Sequence, residues 1–473
     1  LELYRVESEE QITIELVLAL IERYKVNEVD RLQMLEEYYV GDTEVKERTM
    51  SGSEKPNNKI ASPYASYIVD TTQGYFLGKP IVYSSSEDNG GEDSNTETLL
   101  DKVQVIFNKN DEQAHNMRIG KRLATSGVAY ELVYLASNKE DIKFTYLDPK
   151  ETFIIYDDSV EEKPLAGVRF YEVMDYIDET IKERVEIYYK DRIVTLDMVE
   201  GEQEGPEETV PHSFGKVPII QYKNNDEFTG DFEKVKDLID AYDLAVSDTS
   251  NNLEYFADSY LFLSGMEDTE PEDIADMKEN RVMIAGAGGE AEWLVKDSQN
   301  VEVEEFKDRL KEDIHTLSHV PRLDSDAFGT ATSGESLKYK LFGLENIVSM
   351  KERFFKEGLE TRLELITNLL EVKGAKHDPN TVRMSFTRNI PSNQTALVDM
   401  VSKLKGIISD ETILSILPFV EDPELELARL QRVEEEEAES LYEDSFPEGS
   451  NDPVEPETEE ATEESTEEEL STV

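Results

Sequence analysis

The chain has 473 residues, with 106 Asp or Glu against 48 Lys or Arg, a formal charge of −58, and no cysteine. At about 150 residues per domain that length allows roughly three domains, and the missing cysteines exclude disulfides and thiolate metal sites. So acidic a surface repels phosphate, which excludes ordinary tight adhesion to a nucleic acid backbone but not a channel through which nucleic acid slides. The acid is unevenly spread. Glu434–Val473 holds 18 acidic residues and no Lys or Arg, so residues 1–433 keep −40 of the −58. No apolar run approaches the ~20 residues of a membrane span, and no membrane partner is expected. Leu1 to Arg5 does not resemble a signal peptide, and a start on Leu rather than Met fits a trimmed or processed one.

Ser8 and Gln11 have capping-box spacing. Behind them Ile12, Leu16, Leu20 and Tyr24 recur every four residues and predict a helix with one apolar stripe. A second helix carries Val29, Leu32, Leu35 and Tyr39 and stops at Gly41. Ser62 and Pro63 read as N-cap and first-turn proline of a third, which ends at Leu77 before Gly78 and Pro80. Ile81–Tyr83 is extended, Glu87–Asn95 a polar loop, and helices follow at Leu99–Asn108 and Glu112–Thr125.

From Gly127 the pattern changes to short strands rich in Val, Ile, Tyr and Phe: Val128–Leu135, Ile142–Leu147, Thr152–Tyr156, Ala166–Met174, Arg184–Lys190 and Ile193–Met198. Their close spacing predicts antiparallel meanders. Glu200–Pro211 reads as an acidic loop and Val217–Tyr222 as a strand. Then Phe232, Val235, Leu238, Ile239, Tyr242, Val246, Leu253 and Phe256 line one broad helix face. Tyr260–Lys296 reads as a compact α/β insertion, Val303–His319 as a helix, and Pro321–Gly334 as a break. Glu335–Lys373 has no proline and repeats Leu337, Leu341, Leu344, Val348, Phe355, Leu359, Leu363, Ile366 and Leu370 at three, four or seven. Such a helix reaches roughly 58 Å, so it either kinks at Gly343 or Gly358 or crosses a large assembly. Val382–Phe386 is extended, and two or three helices lie between Gln394 and Arg432. The Glu-, Ser-, Thr- and Pro-rich remainder cannot bury enough apolar surface to fold alone.

Chemical motifs weaken on inspection. Gly329 to Ser336 has the spacing of a phosphate-binding loop, but Glu335 stands where that loop needs lysine, and a helix rather than a strand precedes it. It reads as a flexible loop followed by an N-cap. His315 and His319 have zinc-ligand spacing on one helix, but Thr316 stands where the glutamate of that motif belongs, and five histidines offer few third ligands. Asp324 and Asp326 suggest a two-metal nuclease only until the missing Lys, His and strand setting is noticed. Asn57–Lys59 and Gly74–Pro80 read as turn and cap residues. Lys338 and Lys340 are solvated surface on a monomer, but around a closed ring they become belts of positive charge for passing phosphates. No catalytic, cofactor or metal residue is assigned, and no enzyme activity is expected.

Seven stretches in order carry a resemblance. They are Tyr38–Gly41, Asn57–Ile60, Ile68–Asp70, Tyr75–Pro80, His212–Ile220, Tyr222–Asn225, and Leu238–Tyr242 with Ser247-Asp248 and Asn251-Asn252. Over roughly residues 10–390 the chain resembles the portal proteins of tailed bacteriophages, of the type found in long-tailed phages of Gram-positive hosts. The resemblance implies an α+β, predominantly α fold that forms a ring, commonly of twelve subunits, at one capsid vertex of the virion after assembly in host cytoplasm. It divides the chain into a wing (1–230), a first stem helix region (231–259), a clip (260–298), a second stem helix (299–320), a tunnel loop (321–334), a long wing helix with its strand (335–390), crown helices (391–433) and a disordered acidic tail (434–473).

The implied partners are double-stranded DNA, the terminase large subunit, a head–tail adaptor, and the major capsid and scaffolding proteins. Arg322, Ser325, Thr330, Thr332, Ser333, Lys338 and Lys340 become candidate channel residues, and Glu270, Arg281 and Trp293 candidate docking residues of the clip. Two helices flanking a small insertion suit a stem and clip, a Gly- and Ser-rich loop before a very long helix suits a tunnel loop, and an acidic body suits DNA passage with little adhesion. The rival reading is an acidic adaptor or scaffolding protein that binds basic partners without forming a ring. A nuclease or nucleotidase finds no constellation to support it.

Overall fold

The computed structural model describes residues 2–49, 56–85, 98–138, 140–176, 180–199, 201–257, 260–264, 290–294, 300–323, 334–372, 374, 377–389, 401–417, 420 and 426–433. After a short strand β1 (Tyr4–Val6), helix α1 (Ile14–Tyr24) starts one turn later than the Ser8 spacing suggests. Its cap is Thr13, whose Oγ1 accepts from the Leu16 amide at 3.2 Å, while Gln11 accepts instead from the Glu7 amide. The buried stripe is Val17, Ile21 and Tyr24 rather than Leu16 and Leu20. A five-residue π turn, Lys25–Val29, leads into α2 (Asp30–Tyr39), which buries Leu32, Leu35 and Tyr38. Helices α3 (Tyr64–Leu77), α4 (Leu99–Asn110) and α5 (Glu112–Ser126) follow, with strand β2 (Val82–Ser85) after α3. Thr98 and Asp101 form a capping box on α4, and Gly127 ends α5 at φ 80°, where glycine carries no side-chain penalty.

The strands are β3 (Val128–Leu135), β4 (Ile142–Leu147), β5 (Thr152–Asp157), β6 (Pro164–Asp175), β7 (Thr180–Tyr188), β8 (Arg192–Val199), β9 (Glu202–Pro211) and β10 (Ile219–Lys223). They form a sheet of order β1-β5-β6-β7-β8-β9, antiparallel except for β1 on β5, and a second of order β10-β3-β4. The expected meanders are present. The acidic loop expected at Glu200–Pro211 is instead strand β9, paired antiparallel with β8. All ten of its residues are exposed, so no apolar alternation marks it. Pro206 and the glutamates guard an edge that has a partner on one side only.

The second half contains α6 (Lys236–Ala257), an antiparallel pair β11 (Tyr260–Ser264) and β12 (Glu290–Leu294), α7 (Asn300–Ser318), α8 (Gly334–Val372), and β13 (Val382–Ser385) on β2. The rest of the expected insertion, with Pro271 and Gly286–Gly289, lies outside the described residues, as do Asp324 and Asp326. One core joins α1 to the large sheet around Tyr24, Phe153 and Phe170. The other joins α3, α4, α5, β3 and β10 to α8. The chain divides into two compact units, residues 1–393 and 394–473. Within the second, α9 (Asp410–Ile416) is capped by Ser409, whose Oγ accepts from the Thr412 amide at 3.3 Å.

Helix α8 runs unbroken for 39 residues, about 58 Å. Gly343 and Gly358 are not kinks but close approaches: a Cβ at Gly358 would meet the Tyr222 ring, and one at Gly343 the His319 ring. The described helices and strands form the mixed α+β fold expected.

Candidate functional site

Buried charge seats α8. Arg362 is fully buried and reaches Glu131 at 3.0 Å, Glu112 at 3.2 Å and Asn116 at 2.9 Å. His115 Nε2 lies 2.9 Å from Glu131, and Tyr222 donates to it at 2.7 Å. Burial pushes the Glu131 carboxyl up, but Arg362 and the His115 and Tyr222 bonds outweigh it and hold it at about 2. Further along, Lys351 pairs with Asp231 at 2.7 Å, both almost fully buried. Nearer the start of α8, Glu345 accepts from Tyr75 of α3 at 2.6 Å and pairs with Arg388 at 3.1 Å. Helix α8 is therefore tied to the core from Glu345 to Arg362, just beyond Lys338, Lys340 and Gly343.

Helix α6 is seated differently. Asp243, Ser247 and Asn251 form a buried polar stripe with a spacing of four, facing the segment that precedes α3. Asp243 accepts from Thr43 Oγ1 at 2.7 Å and from the Ser62 amide at 2.8 Å. Ser247 accepts from the Ile60 amide at 2.9 Å, and Asn251 from the Asn58 amide at 2.6 Å. Arg48 adds an ion pair to Asp248 at 2.7 Å. The stretch Asn57–Lys59, read as turn residues, thus belongs to a strap tied to α6 through the Asn58 and Ile60 amides. The broad apolar face expected here is only partly covered, since Leu253 is exposed; Leu244, outside that face, is exposed as well.

Helix α7 packs Leu310 and Ile314 inward and ends at Ser318. His319 lies beyond the helix with φ 58°, so the two histidines do not share one helix face as the spacing suggested. A cleft of about 740 Å³ opens here, lined by Asp308 and Glu312 at one side and by His315, His319, Arg322 and Lys340 among the rest. Arg322, just after α7, and Lys340, just inside α8, are candidate residues that the structure brings to one cleft. Lys338 is exposed on α8. Ser325, Thr330, Thr332, Ser333, Glu270 and Arg281 lie outside the described residues. Trp293 is in β12, its backbone opposite Leu261. The cleft thus gathers cations and carboxylates together, Asp308 and Glu312 facing the same space as Arg322 and Lys340.

Several large apolar side chains on these helices face outward: Leu253 on α6, Val301 and Phe306 on α7, and Tyr339 and Phe342 on α8, all more than half exposed. Among the described residues no helix is long and apolar enough to cross a membrane, and no group of three or more His, Asp or Glu could hold a metal ion.

Residues 19–440 match the model of a family described as phage portal protein, SPP1 Gp6-like. The chain belongs to that family. The portal protein of Bacillus phage SPP1 is 26% identical over 427 residues, which cover 83% of this chain and 82% of that protein. The portal protein of Clostridium phage phiCD119 is 24% identical over 417 residues, covering 84% and 87%. Both relatives come from phages of Gram-positive hosts, as the seven short stretches implied. Two solved chains are also similar. One, from the neck of an empty GTA particle computed with C6 symmetry, has 12% identity and a TM-score of 0.46, covering 75% of this chain and 90% of that one. The other, from the virion of a native gene transfer agent particle, has 10% identity and a TM-score of 0.47, covering 81% and 92%.

Arg322 and Lys340 line one cleft. Sequence reading missed what holds them there. His315, His319 and the tyrosines of α3 gather around the turn after α7, and no local pattern announces a left-handed histidine.

Proposed function

We propose that this portal chain is one subunit of a closed, non-enzymatic ring at a virion vertex, through which double-stranded DNA passes during packaging and ejection. The observation that carries the reading is the family match over residues 19–440. Outward-facing Leu253, Val301, Phe306, Tyr339 and Phe342 support it, because apolar side chains on neighbouring helices seek a second surface to cover them. In this reading residues 1–230 and α8 form the wing, α6 and α7 the stem, 260–298 the clip, 321–334 the tunnel loop and 391–433 the crown. Twelve copies would turn Arg322, Lys338 and Lys340 into belts of positive charge within an acidic wall. Each belt would attract phosphate weakly and in a salt-dependent way, so that DNA is held without being trapped. The clip, with Glu270, Arg281 and Trp293, would dock the terminase large subunit and later the head–tail adaptor, while major capsid and scaffolding proteins surround the wing. Hydrolysis of ATP would belong to the separate motor.

The test is to shorten the segment 321–334 in the phage. The expected result is loss of DNA packaging or retention with ring assembly intact. DNA-filled heads at the normal yield would refute the reading.

A further inference from the structure

We propose that the outward faces of α7 and α8 are two halves of one contact, in which the α8 face of one copy lies antiparallel on the α7 face of the next copy. The proposal rests on the ring reading above and adds which surfaces meet and in which direction.

Helix α8 has two apolar sides. Leu341, Leu344, Val348 and Phe355 are buried in the core. Along the opposite side Tyr339, Phe342, Asn346, Met350 and Arg353 recur every three or four residues, and all five are exposed. Three large apolar side chains in line on a helix surface call for a second surface. Lys338 and Arg353 stand at the two ends of this stripe, and neither makes an ion pair among the described residues. In a chain with more than twice as many acids as bases, two such cations flanking apolar groups suit an acidic, apolar partner face.

Helix α7 carries that chemistry. Glu302, Phe306, Asp313 and Leu317 recur at four or seven residues, with Phe306 and Leu317 more than half exposed. Glu304 is paired with Lys307 at 2.5 Å, but exposed Glu302 and Glu305 make no ion pair among the described residues. Both stripes are exposed within one chain, so they do not cover each other there.

The two stripes match in length. Phe306 and Leu317 are eleven residues apart, as are Tyr339 and Met350, so each pair spans about 16 Å. Laid antiparallel, Phe306 meets Met350, a favourable sulfur–ring contact, and Leu317 meets Tyr339. Arg353 then comes beside Glu302, and Lys338 beside the carbonyl end of α7, where a cation is favoured. Laid parallel, Lys338 meets Glu305, but Arg353 runs past the last residue of α7 and loses its acid. Only the antiparallel arrangement serves both cations. Because the two faces differ, the contact is head-to-tail, the kind that closes into rings.

The chain has no cysteine, so introduced pairs are unique. Phe306→Cys with Met350→Cys, and separately Leu317→Cys with Tyr339→Cys, are oxidised in the full-length chain and run on non-reducing gels. Each pair should give a ladder of two, three and more chain masses, and the four single variants should stay monomeric on the gel. Arg353→Glu should raise the protein concentration for half assembly by about tenfold, and adding Glu302→Arg should restore it. The charge swap leaves the apolar residues in place and decides the matter if the cysteine variants do not assemble. Rings in the microscope with no ladder from either pair and no rescue would overturn the contact and leave the ring reading standing. Dimers from Phe306→Cys alone, meaning that like faces meet, would overturn it too. So would a ladder from Phe306→Cys with Tyr339→Cys in place of the two antiparallel pairs. A parent chain that never forms multimers would sink the ring reading and this contact together.

Discussion

The ring of Tyr222 lies so close across Gly358 that a Cβ at position 358 would fall 2.3 Å from the ring's Cε1. Tyr222 is itself pinned, since it donates to buried Glu131 and stacks obliquely on Phe355 at 5.2 Å. The ring cannot swing aside without breaking that bond. Gly358→Ala should therefore cost about 1–3 kcal/mol by overpacking, read as a lower midpoint in denaturant. Gly343→Ala, facing a His319 ring that can yield by a few tenths of an ångström, should cost less.

Arg362 neutralises a buried site with two carboxylates, and its loss would strand Glu131 and Glu112 in the core. Arg362→Leu should destabilise by about 3–5 kcal/mol and leave little soluble folded protein. The pH dependence follows from Glu131, whose folded value is depressed from 4.5 to about 2. Its contribution is full above 4.5 and disappears as pH falls toward 2. Melting temperature measured across that interval should drop, and Glu131→Gln should flatten the drop.

Asp243 behaves in the opposite sense. Burial raises its carboxyl above the ordinary 3.8, more than the hydrogen bonds from Thr43 and Ser62 lower it. The folded chain therefore binds this proton before the unfolded chain does. Stability from this position is gained as pH falls through the raised value and levels off below 3.8. Asp243→Asn can still accept from the Ser62 amide and can donate to Thr43 Oγ1. It should lie within about 0.5 kcal/mol of the parent at neutral pH and lack the gain on acidification. Asp243→Ala leaves two donors unmet and should cost about 1–3 kcal/mol. Thermal melts of the three proteins across pH check this.

The outward apolar residues of α6 and α7 make a separate prediction. Phe306→Glu and Leu253→Glu should leave circular dichroism and melting of the isolated subunit unchanged within about 0.5 kcal/mol. Both should abolish higher-order assembly in light scattering. Normal assembly with both changes present would mean that this face is not where copies meet.

Much of this was legible in the sequence. The long helix, the helices either side of residues 260–298 and most strands follow from apolar periodicity. Four features did not, each for a physical reason. Strand β9 has no buried face, so backbone pairing alone makes it a strand. Asp243, Ser247 and Asn251 form a helical stripe that reads as a solvent face, because the donors they satisfy belong to a strap whose sequence has no periodicity. Gly343 and Gly358 look like breaks, since a sequence does not show which ring will lie over a missing Cβ. Arg322 and Lys340 are obvious as cations, but the cleft they share is shaped by a turn at His319 with positive φ, which no local pattern announces.

The most direct test of the central claim is electron microscopy of the purified full-length chain in negative stain, alone and with capsid proteins supplied. Rings with a stain-filled central hole are expected, of twelve subunits in the assembled head and of that or a neighbouring number when free. Particles without a hole under both conditions, with a mass that stays at the 54.0 kDa of one chain, would contradict it.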